Sequence, residues 1–468
     1  MATDLIKGFV RLCLNLQDPH HVARFQQLCG VRGTFPRKSA RTEEKELEPS
    51  PNGSCVKQCT RESIDDGSVG QNISDLRQRK HTSSETTKQE ECSNGLLNGA
   101  AMPETAEPEE QNTQSESCPN TDSEQGGSKG IVKPLRKNSL TGDVGQEFII
   151  ENKFLFCLFT FGTELGNEMF FIVFFPFLMW NVDAYVSRQI IVVWVLVLFL
   201  GQSTKDLIRW KRPASPPVVK VEMFYNSEYS MPSTHAMTGT ALPFSLFMLT
   251  YGRWQYPFLF GLSLAVCWSF LVCISRIYMG MHSVLEVITG FLYSVLILAV
   301  FQPLLDSIDQ YYLAGSNAAL VIVAVHVGLG MLAFSLDTWS TSRGDTAQAL
   351  STGGGAALAS HLNHQLGLQP DPPLSQLPLV IPAVDGALLG RSLARLLVGV
   401  AVLLATRAAM KALTIPLACR VFGVPPGDVR RARQNAAVEL SYRYLVYGTV
   451  AFSCVFLVPL LFDYLSLS

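Results

Sequence analysis

The chain has 468 residues, of which 48% are hydrophobic and 16% charged, with 37 Lys+Arg against 39 Asp+Glu. That charged fraction lies well below the roughly 25% of soluble domains, so an ordinary soluble globular protein is excluded. A formal net charge of -2 offers no long-range field for polyanions, which excludes a simple nucleic-acid binder.

Residues 1–30 read as an amphipathic segment. Leu5, Phe9, Val10, Leu12, Leu14, Val22, Phe25 and Leu28 are its apolar positions, and Gly30 ends it. One helix is predicted, lying on a bilayer surface or docked on its own protein. No long apolar core follows Met1, so no cleaved secretory signal is expected. Residues 31–147 are rich in Ser, Thr, Glu, Gln, Asn and Pro, and too poor in apolar groups to offset their ordering entropy. A disordered tail is predicted there. Ser139 follows Arg136 and Lys137, which suits a basophilic kinase. The 11 cysteines show no metal or disulfide spacing, Cys55 and Cys59 included, and read as mostly free thiols.

From residue 148 onward apolar runs dominate. They lie near 154–179, 187–207, 235–251, 256–275, 283–304, 317–336, 347–366, 391–413 and 443–464. A span needs about 20 mostly apolar residues, and the runs do not alternate with period two. The prediction is an all-α polytopic membrane bundle of eight to ten spans. Residues 148–310 form its catalytic core and 311–468 its C-terminal helices.

Parity then places the chemistry. The second run ends, the third begins, the fourth ends and the fifth begins on one face of the bilayer. Segments 205–235 and 275–286 therefore meet. They hold Lys205 and Arg212, then Ser233-Thr234-His235, then Ser275-Arg276, His282 and Glu286. Three cations near one site demand an anion, because an uncompensated buried charge is costly. Arg offers a fork that matches phosphate oxygens, and Ser233 opens a helix whose N–H groups favour anions. His282 and Glu286 are four apart and share a helix face. A carboxylate on one ring nitrogen leaves the other as nucleophile, and His235 is then available as an acid. These residues suit metal-free phosphoryl transfer.

The pattern Lys-x6-Arg-Pro at 205–213, Pro-Ser-Thr-His at 232–235 and Ser-Arg-x5-His-x3-Glu at 275–286 resembles the type 2 phosphatidic acid phosphatase superfamily. The wording at 212–220, 228–237, 275–283 and 337–345 is similar to its sphingosine-1-phosphate phosphatase branch, type 1-like. The resemblance implies a phosphomonoesterase acting on sphingosine-1-phosphate and dihydrosphingosine-1-phosphate. It implies no metal or other cofactor, residence in the endoplasmic reticulum membrane, and contact with membrane lipids but not nucleic acid. His282 would be the nucleophile and His235 the acid, with Glu286 behind His282. Lys205, Arg212, Ser233, Thr234 and Arg276 would hold the phosphate. Protein partners are not legible.

Two positions depart from the superfamily pattern. Thr234 stands where Gly is usual, and Glu286 where Asp is usual. Exchanging Glu286 for Asp is therefore expected to keep or raise the rate. Glu164 and Glu168 share a helix face and read first as a structural ion pair with Arg209 or Lys211; as an acidic lip for a cationic substrate amine, Glu222, Glu228 and Asp345 are the alternatives. A basic strip at Arg430, Arg431 and Arg433 falls on the same face as the site, which by charge counting is cytosolic. The resemblance implies a lumenal site. The competing functions are a broad lipid phosphate phosphatase and an inactive multi-span lipid transporter or scaffold.

Overall fold

The structure is a computed structural model, and it describes residues 2–34, 131–132, 147–222, 228–336, 342–425 and 435–467. Most of the stretch read as a disordered tail lies outside these residues, with Ser139, Cys55 and Cys59. So does the strip at Arg430, Arg431 and Arg433, and so does the side chain of Glu168.

The N-terminal segment is two helices rather than one, α1 (Ala2–Gln17) and α2 (Pro19–Leu28). Proline at the first helical position favours a new start at Pro19, and Asp18 caps α2 by accepting from the His20 N–H at 2.8 Å. Gly30 stops the segment with φ +80°. Strands β1 (Val31–Gly33), β2 (Ile131–Val132) and β3 (Phe148–Ile150) follow, in the antiparallel order β1-β3-β2. Val31 sits opposite Ile150, and Gly33 opposite Phe148. The edges of the predicted tail are thus strand, at β-branched residues that polar neighbours hide from composition.

The predicted first run breaks into α3 (Lys153–Glu164) and α4 (Glu168–Asn181). Helices α5 (Ala184–Ile208), α6 (Thr234–Thr250), α7 (Phe258–Tyr278) and α8 (Val284–Phe301) form the heart of the bundle. After them come α9 (Leu305–Ala314), α10 (Ala318–Leu336), α11 (Ser342–Gln365), α12 (Gly386–Val421), α13 (Ala436–Phe452) and α14 (Val458–Tyr464). Among the described residues 6 stretches are long and apolar enough to cross a membrane: 184–208, 258–278, 284–314, 318–336, 386–421 and 436–464. That is fewer than the eight to ten expected. The runs that fall short are the split first one, the short α6, and α11, whose Ser, Thr, Asn and Gln lower its hydropathy. Both α6 and α11 are sheathed by other helices rather than apolar all round.

Helix α6 is the axis of the site. It packs on α5, α7 and α8 at once, which only small surfaces allow. A Cβ at Gly201 of α5 would come 2.9 Å from Met237 Sδ, and one at Gly290 of α8 would come 2.7 Å from the Ser233 carbonyl. The opposite end of the bundle is pinned by ion pairs. Asp183 caps α5 and accepts from Arg253 Nε at 2.6 Å, and Arg188 pairs with Asp309 at 2.9 Å. Such pins fix the start of α5, and hence the depth at which Lys205 emerges at the other end.

Candidate active site

Four helix ends meet at one end of the bundle. The C-termini of α5 and α7 bring Lys205 and Arg276, and the N-termini of α6 and α8 bring Ser233 and Glu286. The loop 209–222 crosses over them with Arg212. Every site residue singled out from the sequence lies in this cluster. Ser233, Thr234, Lys205, Arg276, His282 and Glu286 are all buried.

The cations already have anions. Arg276 Nη1 donates to Glu222 at 3.0 Å, and Arg212 Nη2 donates to Glu228 at 2.6 Å. Lys205 Nζ lies 3.7 Å from the other Glu228 oxygen. It also donates to the Thr234 hydroxyl at 3.2 Å, a contact that a Gly there could not supply. The sequence reading required a visiting anion and left Glu222 and Glu228 to an amine. Burial makes an uncompensated charge too costly, so the resting protein supplies counter-ions of its own. Burial alone would raise the Glu228 carboxyl, but Lys205 and Arg212 outweigh it and hold it below the usual carboxylate range.

His282 Nδ1 donates to Glu286 Oε2 at 3.1 Å and lies 3.3 Å from Ser230 Oγ. The Ser230 hydroxyl in turn donates to the same Glu286 oxygen. This network assigns the proton to Nδ1 and leaves Nε2 with a lone pair. Burial, then Arg212, Arg276, Lys205 and His235, push His282 well below the ordinary imidazole value, so its ring is neutral.

Glu286 has a second task. Its carboxylate accepts from the Ser283 N–H at 3.0 Å, and its own N–H donates to Ser283 Oγ at 3.4 Å. This is a capping box, which requires the reach of Glu or Gln at the third helical position. The longer arm is therefore built into the start of α8, which argues against the expectation that Asp would serve as well. Ser233 similarly caps α6, accepting from the Ala236 N–H at 3.4 Å, and its N–H donates to the Glu286 carbonyl at 3.3 Å. The two site helices are thus tied at their first turns. His235 faces the α3–α4 break, where a Cβ at Gly166 would come 3.1 Å from its ring.

Sequence reasoning missed Ser230 and Lys220. Ser230 lies within a stretch quoted above, but a lone serine carries no signal until the fold sets it beside Glu286. Lys220 Nζ donates to the Gly280 carbonyl at 2.8 Å and the Pro213 carbonyl at 3.0 Å. Burial, then Arg212, lower it to about 8. Glu164 accepts from Asn167 Nδ2 at 2.8 Å, while the suggested partner Arg209 donates to the Asp206 and Leu336 carbonyls. His361 sits with Nδ1 3.0 Å from the Tyr312 carbonyl. A cavity of about 670 Å³ opens beside the site, lined by Asn15 and Asp18 at the α1–α2 junction and by Trp210, Arg212, Ser283 and Glu286. Among the described residues no group of three His, Cys, Asp or Glu side chains could hold a metal ion.

Residues 169–306 match the PAP2 superfamily. Over 460 residues, 98% of each chain, the sequence is 48% identical to sphingosine-1-phosphate phosphatase 1 of Rattus norvegicus. It is 36% identical over 343 residues to sphingosine-1-phosphate phosphatase 2 of Homo sapiens, covering 73% of this chain and 86% of the human one. A dihydrosphingosine 1-phosphate phosphatase of Schizosaccharomyces pombe is 29% identical over 39% of this chain and 46% of its own. No solved structure matches.

The position of Glu228 generates a prediction. An anion entering between Lys205 and Arg212 must displace its carboxylate. In Glu228→Gln, orthophosphate should bind about tenfold tighter, a change of about 1.4 kcal/mol. Thermal unfolding of the detergent-purified protein against an orthophosphate titration measures it. Equal affinity in the two chains would mean the carboxylate is no competitor.

Proposed function

The chain belongs to the PAP2 superfamily and to its sphingosine-1-phosphate phosphatase branch, and from that premise we propose that it hydrolyses sphingoid-base 1-phosphates through a phosphohistidine. The observation that carries the mechanism is the His282–Glu286–Ser230 network beside three cations.

The substrate enters through the cavity beside Arg212, and its phosphate takes the place of the Glu228 carboxylate. Lys205, Arg212 and Arg276 then meet the phosphate oxygens, and the N–H groups at the start of α6 add their dipoles. Nε2 of His282 attacks phosphorus, and the bond from phosphorus to the lipid oxygen breaks. His235 gives that oxygen a proton, so the lipid leaves as an alcohol. Glu286 accepts the Nδ1–H throughout and stabilises the charge that forms on the ring. Water, deprotonated by His235, then attacks phosphorus. The phosphorus–nitrogen bond breaks, and orthophosphate leaves. No step calls on a metal, because the three cations supply the charge stabilisation.

The same reading makes sphingosine-1-phosphate and its dihydro form the substrates, as the names of the relatives suggest. The several apolar helices make this a multi-pass membrane protein, and the endoplasmic reticulum membrane is part of the reading proposed here, from the resemblance carried by the site motifs.

Four outcomes are expected. Purified protein in detergent, with chelator, releases phosphate from sphingosine-1-phosphate in preference to phosphatidic acid. His282→Ala abolishes release while the protein stays folded, and full activity in that variant ends the phosphohistidine reading. Glu286→Asp loses more than about tenfold in kcat, since a supporting group displaced by about 1 Å costs roughly 100-fold. A rate equal to wild type would mean the capping box is dispensable. Lys220, charged below about 8 and neutral above, loses its charge as pH rises. Its bonds to the 213 and 280 carbonyls then weaken. A basic limb near pH 8 in kcat/KM is therefore expected for wild type. In Lys220→Arg that limb moves upward, because the guanidinium keeps its charge. Identical pH profiles would assign the limb elsewhere.

A further inference from the structure

Helix α2 lies outside residues 169–306, which the family model covers, yet it sends one polar side chain into the floor of the site. Gln26 is fully buried, flanked by the buried Val22 and Ala23. A buried amide must be satisfied, and this one bonds to two separate segments. Its Oε1 accepts from the Val219 N–H at 2.9 Å. Its Nε2 donates to the Val219 carbonyl at 2.7 Å and to the Tyr278 carbonyl at 2.8 Å.

Those two segments carry the chemistry. Beyond Gln26 they are stitched further, with the Val221 N–H donating to the Met279 carbonyl at 3.2 Å and Lys220 to the Gly280 carbonyl. Gly280 turns the chain with φ +71°, and a Cβ there would come 2.9 Å from Gln26 Nε2. The next carbonyl, that of Met281, accepts from Arg212 Nη1 at 3.1 Å, and the next residue is His282. Gln26 therefore stands at the head of a seam whose other end sets the distance from a phosphate-holding cation to the nucleophile.

We propose that Gln26 is a positioning residue for this reaction: from α2 it locks the 213–222 loop to the end of α7 and so holds Arg212 against His282. The inference rests on the phosphatase reading above and extends the catalytic unit to the N-terminal helices. Glu at this position keeps an acceptor for the Val219 N–H but offers no donors to the two carbonyls. Asn is one methylene too short to reach both.

The test uses the full-length chain in detergent. Gln26→Ala and Gln26→Glu should each lower kcat by about tenfold or more with KM within about threefold, since small misplacements cost about that much. Val22→Ala is the control: it removes buried apolar atoms from the same helix but none of the seam's hydrogen bonds, and should keep kcat within about twofold of wild type. A Gln26→Ala rate within about twofold of wild type overturns the proposal. So does an equal loss in Val22→Ala, which would mean that docking of α2 alone matters. Amide hydrogen exchange reads the seam without any substrate. The Val219 and Val221 amides should exchange faster in Gln26→Ala than in Val22→Ala, and equal exchange overturns the proposal even if no substrate is turned over. Wild-type protein that releases no phosphate but shows the exchange difference would remove the phosphatase reading and leave the seam.

Discussion

The bundle depends on keeping charge inside a place that does not tolerate it. Lys205 and Arg276 are buried at helix ends, and Arg212 is nearly so. Each would be prohibitive alone. Glu222 and Glu228 make them tolerable, and they do it differently. Glu222 pairs with Arg276, while Glu228 lies against both Arg212 and Lys205. A phosphate that takes the place of Glu228 therefore meets two cations at once. The same arrangement that lets the resting protein fold marks where a phosphate belongs.

Around that charge cluster the backbone is held by caps. Glu286 closes a helix start, orients an imidazole and accepts a hydrogen bond from a serine hydroxyl with one carboxylate. Ser233 closes the neighbouring helix and ties it to α8 through the Glu286 carbonyl. Stability and geometry are not separate here. A group that fails to cap also fails to aim.

The site was largely legible in the sequence because its residue types are rare in apolar surroundings. Lys205, Arg212, His235, Arg276, His282 and Glu286 stand out against their neighbours, and parity gathers them on one face. The all-α bundle was legible from the apolar runs, but not the number of spans. Helices α6 and α11 are wrapped by other helices, so their polar and small residues lower the hydropathy without exposing anything to lipid. The counter-ions, Ser230 and Lys220 were not legible as a group, because their roles arise only from contacts between loops. The strands β1, β2 and β3 were hidden for the same reason: two or three residues carry no periodicity.

The separation between Gln26 and Tyr278 along the chain is 252 residues, with the Val31–Ile150 pairing bridging part of it. During synthesis α2 emerges long before its partners exist. Closing so long a loop costs entropy that only the finished contacts repay. Until the 213–222 loop and the end of α7 have been made, the Gln26 amide has none of these partners. Completion of the seam is therefore a late event in the life of each new chain. A membrane domain assembled without it would already hold its cations and histidines, but not yet at working distance. The protein's own folding order thus sets the moment at which it can begin to act on lipid.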